Sequence, residues 1–208
     1  MTEQEVVDPV AEPEGDPDPA LRTHRGAFVE MLISSILGLI ASLVLSAEAV
    51  TLAANPDAVL SCNINSKISC GAVGNSWQAS VLGFPNAFLG LIAEAVVITI
   101  AVAALGGVRF PRWFMVSAQV VYFIGFAFAY WLFYEAYFVI GALCPWCLLI
   151  TVTTTLVFVS FTRVNILEGN LGRGIKRRLE RPLDLGADVA LSVILIALLA
   201  GAVLYKYI

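Results

Sequence analysis

The sequence has few charged residues and almost no histidine. Only 13% of its 208 residues are charged, and the single histidine is His24. A soluble domain carries about 25% charged residues. Hydrophobic residues make up 59% of the chain instead. This composition excludes an ordinary soluble globular domain and gives no sign of a nucleic-acid partner, so we expect a protein that lies in a lipid bilayer.

Five apolar runs are long enough to cross a bilayer. A transmembrane helix needs roughly 20 mostly apolar residues, because every backbone polar group in hydrocarbon must be hydrogen-bonded within the segment. The runs lie near 27–54, 86–106, 113–139, 143–162 and 186–205. We therefore predict an all-α membrane protein. A four-helix transmembrane bundle occupies 27–162, with a long extracytoplasmic loop between its first two helices, and a fifth transmembrane helix lies in 186–208.

Two polar segments complete the predicted organisation. Residues 1–26 are acidic, rich in proline and without hydrophobic periodicity, which predicts a disordered cytoplasmic tail. Residues 163–185 include RGIKRRLERP, which predicts a basic cytoplasmic linker in contact with anionic lipid.

The basic residues lie on one side of the predicted membrane. Arginine and lysine occur before the first span, between the second and third spans and after the fourth, whereas the loop 55–85 contains only Lys67. Because loops rich in Lys and Arg stay in the cytoplasm, we predict a multi-pass plasma-membrane protein with its N-terminus inside and its C-terminus outside. The four cysteines then lie outside, where disulfides form. They are Cys62, Cys70, Cys144 and Cys147.

A C-x-x-C motif begins the fourth predicted span, in the sequence ALCPWCLL. A disulfide between Cys144 and Cys147 closes a very small ring, which stabilises a fold little. Pro145 suits the first position of a helix. The positive end of the helix favours a thiolate and lowers the thiol pKa below about 8.5. The motif therefore predicts thiol–disulfide exchange.

The other two cysteines form the pattern Cys62-x7-Cys70 in a polar loop. We expect this loop to swing over the C-x-x-C motif and to pass electrons between a soluble partner and the inner pair. Two alternatives remain: structural disulfides in a membrane scaffold or binding protein, and one zinc site made of all four sulfurs. The loop pair is spaced more widely than usual zinc pairs, and His24 is predicted on the opposite side, so we predict no metal.

Together these motifs resemble the vitamin K epoxide reductase family, in its bacterial form that drives disulfide formation. The resemblance covers about 28–162. It consists of the loop cysteine pair, the C-x-x-C at the start of the fourth helix, Ser76 and Trp77 after the second loop cysteine, and Asn86-x-x-x-Gly90 at the start of helix 2.

The resemblance implies a quinone-dependent thiol oxidoreductase with a defined order of cysteines. Cys147 would meet the quinone, Cys144 would be its partner and exchange with Cys70, and Cys62 would engage the incoming thiol protein. The implied quinone is of the menaquinone, ubiquinone or vitamin K type. The implied partner is a separate extracytoplasmic thioredoxin-fold (DsbA-like) protein, because this sequence ends at Ile208, whereas some bacterial relatives continue into such a domain.

Two further positions match the family's quinone pocket, Ser76 and Asn86. The resemblance implies that Asn86 donates a hydrogen bond to a quinone oxygen. Structural alternatives are a turn hydroxyl for Ser76 and a helix-start residue for Asn86. Thr151 stands where vertebrate relatives have a tyrosine of this pocket. An alternative function with the same thiols is reduction of a quinone, or of its epoxide, to recycle it.

Glu48, Glu94 and Glu135 lie inside the predicted spans. Carboxyls within a membrane are costly and often functional. Glu48 and Glu135 are expected near the outer surface, where water solvates them. Glu94 lies deeper, where an interhelical hydrogen bond is favoured over proton supply to a quinol.

Overall fold

The described part of the chain is almost entirely helical. The structure is a computed structural model that describes residues 19–207, with side chains from Arg25 to Lys206. Within these residues there is no strand, only an isolated bridge between Ile68 and Leu143. The α-helices are α1 Pro19–Ala54, α2 Cys70–Gly74, α3 Ala87–Leu105, α4 Arg112–Tyr134, α5 Pro145–Leu167, α6 Arg173–Asp184 and α7 Ala187–Tyr207. A 3-10 helix follows α2 at Trp77–Ser80, and α4 continues into a π-helical turn at Glu135–Ile140.

Five of these helices are long and apolar enough to cross a membrane, which confirms the predicted all-α membrane fold. The segments are Arg25–Ala54, Ala87–Leu105, Arg112–Ile140, Pro145–Leu167 and Ala187–Lys206. Two charged regions are more helical than we expected. Helix α1 already begins at Pro19, so the last part of the predicted tail is helical, while residues 1–18 lie outside the described residues. The predicted basic linker contains α6.

Helix α5 is the centre of the bundle. It packs against α1, α4 and α7, and α1 also packs against α3. Helices in lipid are held together by close packing and interhelical hydrogen bonds. The fully buried Asn165 of α5 provides such bonds, since its Nδ2 donates to Oε1 of Gln119 at 2.8 Å and to the carbonyl of Met115 at 3.2 Å on α4. Gln119 in turn donates to Thr162 at 2.7 Å.

The connectivity separates most of the basic residues from the cysteines. The end of α3, the start of α4, the end of α5 and the start of α7 all lie at one end of the bundle. Arg112 donates to the carbonyl of Asn170 at 2.7 Å there, and Arg163 pairs with Asp188 of α7. The long loop between α1 and α3, which carries Cys62 and Cys70, lies at the opposite end with the start of α5.

Helix α1 approaches α3 closely at Gly90. A Cβ added at this glycine would meet the Oγ and Cβ of the fully buried Ser42, whereas a Cβ at Gly201 of α7 would meet nothing within 4 Å. We therefore predict that Gly90→Leu lowers the free energy of unfolding by about 1–3 kcal/mol, the usual cost of overpacking. Gly201→Leu is the matched control and should change it by less than about 0.5 kcal/mol.

Denaturant unfolding of the purified chain in detergent, followed by helical circular dichroism, measures both changes. Equal stability of the two variants would contradict the close α1–α3 contact.

Candidate active site

The backbone pairs the long loop with the residue that precedes α5. The N–H of Leu143 donates to the carbonyl of Lys67 at 2.8 Å, and the N–H of Ser69 donates to the carbonyl of Leu143 at 3.0 Å. Cys70 follows Ser69, and Cys144 follows Leu143. The two hydrogen bonds therefore bring a loop cysteine beside a cysteine of the C-x-x-C motif.

The four cysteines form a closed disulfide and a pair of free thiols that touch each other. Cys62 and Cys70 are joined by a disulfide, while Cys144 and Cys147 are free. The Sγ of Cys70 lies 3.1 Å from the Sγ of Cys144. A disulfide sulfur is not a thiolate, so this state does not offer the four thiolates that a four-sulfur zinc site requires. It does place a thiol against a disulfide, which is the arrangement that exchange needs.

The sulfurs of Cys62, Cys70 and Cys144 form a row in which burial increases from Cys62 to Cys144. The exposed fraction is 8% for Cys62, 2% for Cys70 and 1% for Cys144. The three residues share an apolar cluster with Leu52 and Leu60. The residues on either side of Cys62, Ser61 and Asn63, are exposed. Cys62 is therefore the cysteine of this row that a partner outside the bundle approaches most directly.

Cys144 is the N-cap of α5, with Pro145 in the first helical turn, as the sequence predicts. The thiol of Cys147 donates a hydrogen bond to Cys144, and the backbone N–H groups of Cys147 and Trp146 also point at its sulfur. These hydrogen bonds hold the pKa of the Cys144 thiol below its usual value, although burial and the nearby charge of Glu48 act in the opposite direction. A lowered pKa raises the thiolate fraction, and the thiolate is the nucleophile in exchange.

The loop is hydrogen-bonded to itself and to the bundle, whereas the sequence predicts that it swings. Besides the Leu143 pairing, the Oδ1 of Asn63 accepts from the N–H of Gly71 at 2.9 Å and from the hydroxyl of Ser69 at 3.1 Å. Gln78 donates to Glu135 at 3.0 Å. Any movement that separates Cys70 from Cys144 must break bonds of this kind, so the described arrangement keeps the two sulfurs in contact.

A large and mostly apolar cavity lies beside the sulfurs. Its volume is about 730 Å³. Its wall includes Cys70, Cys144 and Cys147, and it extends along α3 and α4 to Glu94 and Tyr122. A pocket of this size suits an organic ligand, since such pockets measure about 300–1,000 Å³. The cavity also joins the cysteines to the interior of the bundle, where a lipid-soluble molecule would lie.

A known protein family matches more than half of the chain. Residues 29–162 match the vitamin K epoxide reductase family. The chain belongs to this family. No curated protein matches its sequence. Membership makes the chain a membrane thiol oxidoreductase of a family that is associated with quinones.

Both residues that the family resemblance assigned to a quinone pocket line the cavity. The hydroxyl of Ser76 donates to the carbonyl of Val73 at 2.6 Å, which is the turn contact considered as an alternative. Asn86 precedes the first residue of α3, and its Nδ2 donates to the carbonyl of Gln78 at 2.6 Å. Its Oδ1 is buried without a hydrogen-bond partner. The quinone role of both residues stays a prediction.

The structure gives Glu48 and Glu94 surroundings that the sequence did not fully indicate. Glu94 accepts a hydrogen bond from Tyr122 at 3.1 Å, so the favoured interhelical bond is present. Glu48 is half-buried, and its Oε1 lies 3.2 Å from the Sγ of Cys62. Its place near the end of a span suggested simple solvation. The one sequence signal for this contact is that Glu48 lies near the end of the span that leads into the cysteine-bearing loop.

Loss of the Cys147 hydrogen bond should raise the pKa of Cys144. We predict that Cys147→Ala moves the Cys144 titration to higher pH, whereas Cys147→Ser, which keeps a hydroxyl donor, moves it less. Both variants contain Cys144 as their one free thiol once the loop disulfide is closed, so the ultraviolet absorbance of the thiolate against pH reports it directly. Identical titration midpoints in the two variants would contradict the hydrogen bond.

Proposed function

We propose that the chain oxidises an extracytoplasmic thioredoxin-fold protein and passes the electrons to a quinone, so that disulfides form in secreted proteins. The observation that carries this proposal is the 3.1 Å contact between the sulfurs of Cys70 and Cys144. It links the loop disulfide to a thiol on the wall of the cavity. A scaffold protein held by structural disulfides has no need of a thiol against its disulfide.

The first steps take place at the loop. One thiolate of the reduced partner attacks Cys62, forming a mixed disulfide and releasing Cys70 as a thiolate. The second partner thiol then attacks the partner's own sulfur in that mixed disulfide. The partner leaves with a new disulfide, and Cys62 and Cys70 are left as thiols that hold its two electrons.

The next steps transfer the electrons inward. Cys70 attacks Cys144 of an oxidised Cys144–Cys147 pair, which forms a Cys70–Cys144 disulfide and releases Cys147. Cys62 then attacks Cys70, which closes the loop disulfide and releases Cys144. The result is the described state, with a closed loop disulfide and two inner thiols. In this state the electrons lie on the pair that lines the cavity.

The residues of the cavity fit a quinone. A bound quinone supplies an acceptor for two electrons and two protons. Apolar side chains such as Leu45, Leu89 and Phe128 would surround a ring and a hydrocarbon tail. On the cavity wall, the unpartnered Oδ1 of Asn86 is an acceptor suited to a quinol hydroxyl, and its second Nδ2 hydrogen is a donor suited to a quinone oxygen. An unpaired buried polar atom is costly, so a polar ligand group here would be stabilised.

Replacement of Cys147 tests the inner end of this sequence. We predict that Cys147→Ala reduces quinol formation to background, because Cys144 has no sulfur with which to re-form the inner disulfide. Its Cys62 should still form a mixed disulfide with the partner. Cys147→Ser is the matched control for packing and should behave in the same way, since its hydroxyl cannot form a disulfide.

The assay uses a reduced thioredoxin-fold protein and a soluble quinone, with quinol formation followed by absorbance and the mixed disulfide by a non-reducing gel. Wild-type quinol formation by either variant would overturn the role of Cys147. A wild-type chain whose cysteines never change state with either substrate would favour the scaffold alternative.

We also propose that the cysteines face the outside of the plasma membrane, with the N-terminus in the cytoplasm. Support comes from the basic residues, including those of α6, at the end of the bundle opposite the cysteines. Loops with Lys and Arg stay inside. An outer position also gives the cysteines access to secreted proteins and to an oxidising compartment.

Cysteine labelling tests this orientation. Leu82 lies in the loop between α1 and α3, Val108 lies between α3 and α4, and both are exposed, at 58% and 52%. In intact cells, we predict that a membrane-impermeant maleimide labels Leu82→Cys at least tenfold above the parental chain and Val108→Cys only at background. Lysis should equalise the two. Labelling of Val108→Cys alone in intact cells would reverse the proposed orientation.

A further inference from the structure

Glu48 of α1 is the one carboxyl among the described residues that is grouped with the sulfurs. Its Oε1 lies 3.2 Å from the Sγ of Cys62. A carboxyl oxygen of Glu48 and the sulfurs of Cys62 and Cys70 all lie within 4.8 Å of one another. The second oxygen, Oε2, is buried and has no hydrogen-bond partner. Glu48 also forms part of the cavity wall.

The chemistry of this contact determines where the proton lies. Cys62 is in a disulfide, so its sulfur has no proton to donate. A hydrogen bond across the 3.2 Å contact therefore requires the proton on Glu48, with the carboxyl as donor and the sulfur as a weak acceptor. The apolar residues around Cys62 favour this neutral form, because an unpaired carboxylate in such surroundings is costly.

We propose that Glu48 carries the proton of Cys62 during thiol–disulfide exchange. This inference rests on the proposed function, because it assigns the proton transfers of the same exchange steps. Glu48 gives its proton to Cys62 when that sulfur leaves a disulfide, and it takes the proton back when Cys62 attacks Cys70. It touches a reacting atom and is therefore a catalytic residue in this scheme.

The protons balance in both steps. When the second partner thiolate expels Cys62 from the mixed disulfide, the sulfur–sulfur bond to Cys62 breaks with its electron pair on Cys62. The carboxyl proton moves to that sulfur and leaves Glu48 as a carboxylate. When the loop disulfide closes, the carboxylate removes the proton as Cys62 attacks Cys70. The bond between Cys70 and Cys144 breaks with its electron pair on Cys144, and Glu48 is neutral again.

The variant Glu48→Gln removes the proton and keeps the shape. Its amide still donates a hydrogen bond to the sulfur, so a purely structural role would survive. Glu48→Asp keeps a carboxyl on a shorter side chain and should restore part of the rate. Asp57→Asn is the matched control, because Asp57 is an exposed carboxyl in the same loop.

The experiment uses dithiothreitol and omits the quinone. Full-length chain with a closed loop disulfide is mixed with dithiothreitol, quenched with acid and alkylated at a series of times, and its adducts are measured by intact mass. General acid–base catalysis contributes about 10²–10⁴-fold. In Glu48→Gln we expect the step that releases Cys62 to slow by about 10²-fold, so that the dithiothreitol adduct at Cys62 accumulates. In the wild-type chain and in Asp57→Asn it should not accumulate.

The pH dependence distinguishes proton transfer from packing. The titratable groups that face Glu48 among the described residues are the thiols of Cys144 and Cys147 and, once the loop disulfide opens, those of Cys62 and Cys70. The faster release of Cys62 in the wild-type chain needs the proton on Glu48. The difference in release rate between wild type and Glu48→Gln should therefore shrink as pH rises. A difference that stays constant with pH, or no adduct in Glu48→Gln, would overturn the proposal.

The same assay keeps the two proposals apart. If the wild-type chain and Glu48→Gln release Cys62 from the dithiothreitol adduct equally fast, the role of Glu48 fails while the cysteine relay stands. If the wild-type disulfide does not open at all, the exchange sequence itself fails, and the role of Glu48 fails with it.

Discussion

The site depends on two backbone hydrogen bonds between the long loop and Leu143. They fix Lys67 and Ser69 beside the start of α5, and so hold the sulfurs of Cys70 and Cys144 3.1 Å apart. The paired residues are far apart in sequence, and closing a loop of this length costs entropy. The bundle offsets that cost, because the spans that flank the loop already bring its ends to one side of the membrane.

This arrangement divides the site into a fixed part and an accessible part. The Cys70 side of the loop is hydrogen-bonded to the bundle, and Cys144 caps a helix that lies at the bundle's centre. Cys62 is the least buried of the three sulfurs in a row and lies between exposed neighbours. Exchange rates depend on access as well as on thiolate fraction. This geometry is consistent with the proposed entry of electrons at Cys62 and their exit at the cavity.

The sequence was sufficient for the elements of this fold but not for their contacts. Long apolar runs predict spans because lipid demands internally bonded backbone, and Pro145 marks the start of α5 because proline suits that position. The Lys67–Leu143 pairing has no local sequence signal, since backbone atoms make it. The contact of Glu48 with Cys62 is not predicted for a related reason. Position along a span indicates depth, and it does not indicate which loop folds over the residue.

The low polarity of the site limits where negative charge can lie. Cys144 is the sulfur best prepared for it, because it caps α5 and receives hydrogen bonds from Cys147, which lower its pKa. Glu48 lines the same cavity, and its negative charge would oppose a Cys144 thiolate. Two like charges in an apolar cluster repel strongly, since the effective dielectric there is far below that of water. A Cys144 thiolate and a neutral Glu48 are therefore mutually consistent, and so are a Glu48 carboxylate and a Cys144 held in a disulfide. An alternation of one charge between these two groups is consistent with the proposed order of sulfur exchange.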